Sequence, residues 1–206
     1  MASSRELHAA LMAVVAQQGG YFTARQALDA GYSYPRHHYH VQTGAWERVA
    51  RGIFRMHDYP LPEREDLIVL SLMSHNRASQ PEAVFSHETA LALHALGDVN
   101  PARIHLTVSP HFRRKLPTGV VVHRGDVPSG DWEERDGYRV TTPLRTLIDI
   151  AGDPASWPYL EAAVRDALRQ GMVRRGQLQS AVTSDEAHAR LLGAIAVADE
   201  KASTSI

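Results

Sequence analysis

Between Tyr34 and Gln42 the chain places Tyr34, Arg36, His37, His38, His40 and Gln42, a run rich in hydrogen-bonding groups and poor in charge. Arg36 could meet a guanine edge with two hydrogen bonds and Gln42 an adenine edge, each good pair giving ~1–3 kcal/mol of discrimination. Imidazole and phenol groups can donate to phosphates or bases. Arg48, Arg51 and Arg55 recur around Gly52, where a guanidinium can reach a phosphate backbone or a minor groove. Thr23 and Arg25 sit where a helix could begin, a position that favours a phosphate. Arg113-Arg114-Lys115 is the densest basic run and offers a secondary nucleic-acid contact. The histidines also raise metal binding, since His37 and His40 would share one helical face. No acidic or cysteine partner lies nearby in the sequence, so no metal is expected there.

Enzymatic chemistry finds little support. Ser86-His87-Glu88 contains the residue types of a catalytic set, but neighbouring side chains on a helix diverge, so Ser86 reads as a helix cap. Nucleophile-elbow, phosphate-cradling and dinucleotide-binding glycine patterns are absent. The one short acidic-x-Lys match, Asp199-Glu200-Lys201, falls in a tail expected to fray. There is no cysteine, which removes disulfides, thiolate metal sites and cysteine nucleophiles together. The expectation is a non-enzyme without a cofactor.

The elements that must position the basic and polar side chains follow from spacing. Leu7, Leu11, Val14 and Val15 recur at helical intervals, predicting a helix over 4–18 stopped by Gly19-Gly20. Thr23 and Gln26 form a capping-box pattern for a short second helix ended by Gly31. Ser33 can cap a third helix, with Pro35 in its first turn and Gly44 beyond its end. Trp46–Val49 and Ile53–Met56 flank a tight turn and predict a hairpin. Helix, helix, turn, helix, hairpin is the order of a winged helix-turn-helix, whose last helix enters the major groove and whose hairpin is the wing. His57–Pro62 reads as a linker, dividing a DNA-binding domain at 1–58 from a second domain at 59–206.

The second domain is expected to be a mixed unit with a small antiparallel sheet and several helices, making the whole chain α+β. Helices are predicted over 63–75, 86–95, 143–151, 158–170 and 175–182, and strands over 103–108, 119–123 and 139–141. Among the 206 residues 44% are hydrophobic and 22% charged, an ordinary globular composition. The longest apolar stretches, such as Leu67–Met73, are too short to cross a bilayer, and the first residues do not resemble a signal peptide. A cytoplasmic protein without membrane contact is expected. Net charge is −1, but residues 1–60 hold six arginines against four carboxylates. A few placed contacts, more than a broad positive field, would carry DNA binding.

Three stretches together resemble a known family. Gly20-Tyr21-Phe22-Thr23-Ala24-Arg25-Gln26-Ala27, Gly31-Tyr32-Ser33 and Gly44–Arg55 resemble the N-terminal domain of AbiEi-type antitoxins. Phe85-Ser86-His87-Glu88-Thr89-Ala90, Ile104–Val108 and Val140–Asp149 add the family's second domain. The resemblance implies a type IV toxin–antitoxin system, in which the winged helix represses its own operon from DNA upstream of its gene. It also implies that the second domain counters a nucleotidyltransferase-type toxin. Carried onto this sequence, DNA contacts fall on Pro35–Thr43 and Arg48–Arg55. A stand-alone regulator with a ligand- or partner-sensing second domain is the alternative.

Overall fold

The computed structural model describes residues 3–203. It forms two compact units. The first comprises the chain up to Ala83 with Arg114–Leu116 and Glu134–Arg139, and the second comprises Val84–Arg113, Pro117–Glu133 and the chain from Val140 onward.

In the first unit α1 (Ser4–Gln17) starts with a complete capping box between Ser3 and Glu6 and buries Leu7, Leu11 and Val15. β1 (Tyr21–Thr23), α2 (Ala24–Asp29) and α3 (Tyr34–Gln42) follow, then the hairpin β2 (Trp46–Ala50) and β3 (Ile53–Met56). β1 was not foreseen, because three residues are too few to show a period. It pairs antiparallel with β3, Phe22 opposite Phe54, so the predicted hairpin is two strands of a three-stranded sheet ordered β1-β3-β2. A register shift between Arg48 and Ala50 bends β2 close to the hairpin tip. Leu7, Leu11, Val15, Phe22, Ala27, Tyr32, Trp46 and Phe54 form the core. Phe22 meets Trp46 edge-on at 4.8 Å, and such aromatic pairs add to simple burial. α4 (Glu65–Ser74) is apolar nearly all round, as suits a buried helix.

The second unit begins with β4 (Val84–Phe85) and α5 (His87–Leu93), followed by β5 (Ile104–Val108) and β6 (Val120–Arg124). β7 (Trp132–Arg135) and β8 (Tyr138–Thr141) are joined through Asp136 and Gly137, both at positive φ, with the joining stretch Glu134–Arg139 counted in the first unit. The strands form one five-stranded sheet ordered β6-β5-β4-β8-β7. β4 and β5 are antiparallel, whereas β5 and β6 run parallel. The α+β class stands, with a larger and mixed sheet where a small antiparallel one was expected. β7 was hidden by its charged Glu133-Glu134-Arg135 and β4 by its brevity.

The remaining helices are α6 (Pro143–Gly152), a 3-10 turn (Pro154–Tyr159), α7 (Leu160–Arg169), α8 (Arg175–Gln179) and α9 (Asp185–Ser203). Leu91, Leu147, Ile150, Val164, Leu178, Leu191 and Ile195 lie in one cluster drawn from most of them. α9 carries the chain as helix from Asp199 to Ser203, where a fraying tail was expected; residues 204–206 lie outside the described ones. Its buried positions Ala187, Leu191, Ala194, Ile195 and Ala198 keep helical spacing, but mostly with small residues that weaken the apolar signal. Among the described residues no helix is long and apolar enough to cross a membrane.

Candidate nucleic-acid interface

The α2–α3 pair is set by local chemistry. Thr23 Oγ1 accepts from the Gln26 amide at 3.2 Å, and Gln26 Oε1 accepts from the Thr23 amide at 2.8 Å. Gly31 holds φ +95°, and a Cβ there would sit 2.5 Å from Leu7 Cδ2, so the turn requires glycine. Ser33 is the N-cap of α3, yet its side chain makes no capping hydrogen bond; Pro35 takes its expected place in the first turn.

α3 sorts its polar residues between core and solvent. Tyr34, Arg36, His38 and Gln42 are exposed, as a helix reading base edges needs. His37 is not. It is buried, its Nε2 lies 2.9 Å from the Tyr32 carbonyl, and its ring rests 5.4 Å from Trp46 and 5.9 Å from Phe54. Burial holds its pKa below the ordinary value. His40 is half-buried and stacked on Trp46 at 4.7 Å, its pKa lowered by burial and then by Arg36. Tyr39 is 61% exposed.

The hairpin divides its arginines similarly. Arg55 donates to Glu47 Oε2 from Nε and Nη2 and to the Tyr59 carbonyl, so it braces the base of the wing. Arg48 and Arg51 remain exposed. With Tyr34 and His38 they border one groove, whose floor includes Val41 and Phe54.

Arg51 also borders a second cleft, lined by Thr23, Arg25, Arg77, Arg114 and Lys115. Arg114 is steadied by a 3.4 Å hydrogen bond to the Met73 carbonyl. Arg25 pairs with Asp29 at 3.1 Å, an exposed ion pair that exchanges cheaply for a phosphate. Thr23 keeps its hydroxyl in the capping box. Arg113 stands apart: its guanidinium donates to the Pro110 and Phe112 carbonyls of its own loop. Thus two of the three residues in the basic run join the wing tip in one cleft.

This geometry can be set beside known proteins. Residues 9–57 match a family described as transcriptional regulator, AbiEi antitoxin. Residues 82–193, more than half of the chain, match the AbiEi antitoxin C-terminal domain. The chain belongs to the AbiEi antitoxin family. Both regions of this AbiEi chain are those of an antitoxin-type transcriptional regulator. No curated protein matches it significantly. The crystal structure of the RV2827C protein from Mycobacterium tuberculosis has the same fold, with a TM-score of 0.56 at 15% identity over 93% of this chain and 77% of that one.

Two features of the AbiEi chain escaped the sequence. Arg77 lines the basic cleft from a segment with no basic neighbour in sequence, so only the fold brings it to Arg51. Ser86 occupies the N-cap of α5 without capping through its side chain. Its Oγ instead accepts from Thr107 Oγ1 at 2.8 Å and lies 2.9 Å from His87 Nδ1. The expected divergence of Ser86 and His87 fails because His87 takes φ +51°, outside helical geometry.

Proposed function

We propose that this AbiEi chain represses its own operon by binding double-stranded DNA upstream of its gene. The exposed face of α3 enters the major groove, with Arg36 and Gln42 at base edges and Tyr34, His38, His40 and Tyr39 around them. Arg48 and Arg51 reach phosphates from the wing. The observation that carries the reading is the position of Arg51, which borders both the groove beside Tyr34 and His38 and the cleft holding Arg25, Arg77, Arg114 and Lys115. Among the described residues, Arg36, Arg48, Arg51, Arg77, Arg114 and Lys115 have no carboxylate within ion-pairing distance. Cations left unpaired at the edge of two adjoining grooves suit a polyanion. The DNA-binding surface therefore extends past a domain at 1–58. Countering a nucleotidyltransferase-type toxin belongs to the domain at 59–206, and family membership is its support.

A binding titration on the DNA upstream of the gene, against a scrambled duplex, tests the first part. Arg36→Ala is expected to narrow the preference for the native duplex by ~1–3 kcal/mol. Arg51→Ala and Lys115→Ala are expected to weaken both duplexes alike and to make the salt dependence shallower by ~0.9 per lost phosphate contact. Equal binding of both duplexes by the unmodified protein would remove the repressor reading. Growth rescue on co-expression with a nucleotidyltransferase encoded beside the gene tests the second part.

A further inference from the structure

His87, His123 and Asp153 each bring one donor atom into a group whose members lie within 4.8 Å of one another, at the edge of an open pocket of the second unit. They come from the start of α5, from β6 and from the loop after α6. Nothing in the regulator reading uses them. We propose that these three residues bind a divalent first-row transition metal, with Zn2+ as the fitting ion.

The donor set argues for that class. Two imidazoles and one carboxylate suit Zn2+ and its neighbours, whereas Mg2+ and Ca2+ prefer oxygen ligands. Three protein ligands leave a fourth position, which here faces a pocket lined by Thr107, Arg124 and Arg145. That is the pattern of an exchangeable site, in contrast to closed structural sites.

The outer contacts point the same way. Metal-bound histidines and carboxylates are held by second partners that fix ring orientation. His87 Nδ1 lies 2.9 Å from Ser86 Oγ, itself tied to Thr107, which leaves Nε2 for an ion. His123 Nε2 is 3.2 Å from His105 Nδ1, and His105 Nε2 is 3.8 Å from Glu88 Oε2. Asp153 Oδ2 accepts from Ser156 Oγ at 3.0 Å, and the same hydroxyl contacts Glu88 Oε1 at 3.3 Å. Each candidate ligand therefore has its support in place. The His87 and His123 rings stack with centroids 3.5 Å apart. Two donors of one ion at ~2.1 Å are at most ~4.2 Å apart. In a tetrahedral site they are ~3.4 Å apart, so closing the set takes a rotation of one ring and up to about 1.4 Å of travel.

The test uses tag-free full-length protein, stripped with a chelator and titrated with Zn2+ by calorimetry. One ion per chain is expected, with Mg2+ silent at the same concentrations. His123→Asn and Asp153→Asn should each weaken binding by more than the roughly 10–100-fold that loss of an outer partner costs, while His57→Ala should leave it unchanged. Unfolding in chelator checks that the variants remain folded. Should they fail to fold, the unmodified protein crystallised with Zn2+ decides the matter by its anomalous peak. A peak between His87, His123 and Asp153 is expected. No binding, binding indifferent to Asp153, or a peak only elsewhere overturns the proposal.

Discussion

At the scale of single residues, two adjacent histidines separate fold from recognition. His37 fills a slot between Trp46 and Phe54 and bonds the Tyr32 carbonyl, whereas His38 faces solvent. His37→Ala is expected to lower stability by about 2–4 kcal/mol, through lost packing and an orphaned carbonyl. His38→Ala should stay within about 0.5 kcal/mol and show its effect only in DNA affinity. Denaturant titrations of both variants check this contrast. His75 gives the first unit a pH dependence. It is buried, its Nδ1 has no hydrogen-bond partner, and burial, then Arg114 and Arg139, push its pKa down to about 4. Above pH 6.5 the imidazole is neutral in folded and unfolded chains alike. Between 6.5 and 4 the unfolded chain takes up a proton that the fold refuses. This contribution to stability is therefore full above 6.5 and is lost as pH falls, at about 1.4 kcal/mol per unit. Urea titrations at pH 7.5 and 5 should show that His75→Gln loses less stability on acidification than the parent, and parallel losses would contradict the assignment.

At the scale of elements, what the sequence disclosed depended on length and on side-chain size. α1, α2, α3 and the hairpin carry caps, glycine stops and full apolar spacing, so their order and the winged-helix plan were legible. The same pattern could not tell His37 from His38 or Arg55 from Arg51, since burial and pairing with Glu47 depend on how α3 and β3 meet the core. β1 and β4 are shorter than any period, and α9 hides its buried face behind alanines. α9 nonetheless supplies Leu191, fully buried, next to Leu192, which is 41% exposed. Leu191→Ala is expected to cost the second unit about 2–4 kcal/mol. Leu192→Ala should cost under about 1 kcal/mol. Guanidinium denaturation followed by far-ultraviolet dichroism compares the two, and equal losses would mean that α9 packs through a different face.

At the scale of the whole molecule, a net charge of −1 conceals a local arrangement. Residues 1–60 have a small basic excess, and the cleft beside the wing gathers Arg77, Arg114 and Lys115 from far along the chain. Linear charge counting could not find that grouping, because Arg77 and the Arg114-Lys115 pair stand far from each other and from the wing in sequence and meet only in the fold. The histidine–aspartate set of the second unit was equally hidden, its members being separated by some thirty residues each. The wing itself has one further consequence. Its base is held by β1, by the Trp46 and Phe54 rings and by the Arg55–Glu47 pair, while at its tip Gly52 keeps the φ of +73° that the turn requires and the Arg51 side chain stands exposed. Side chains at the tip can thus change without disturbing what keeps the domain folded. Two descendants of one gene in the same cell could drift to different operators while sharing an unchanged scaffold, and so come to be regulated independently of each other.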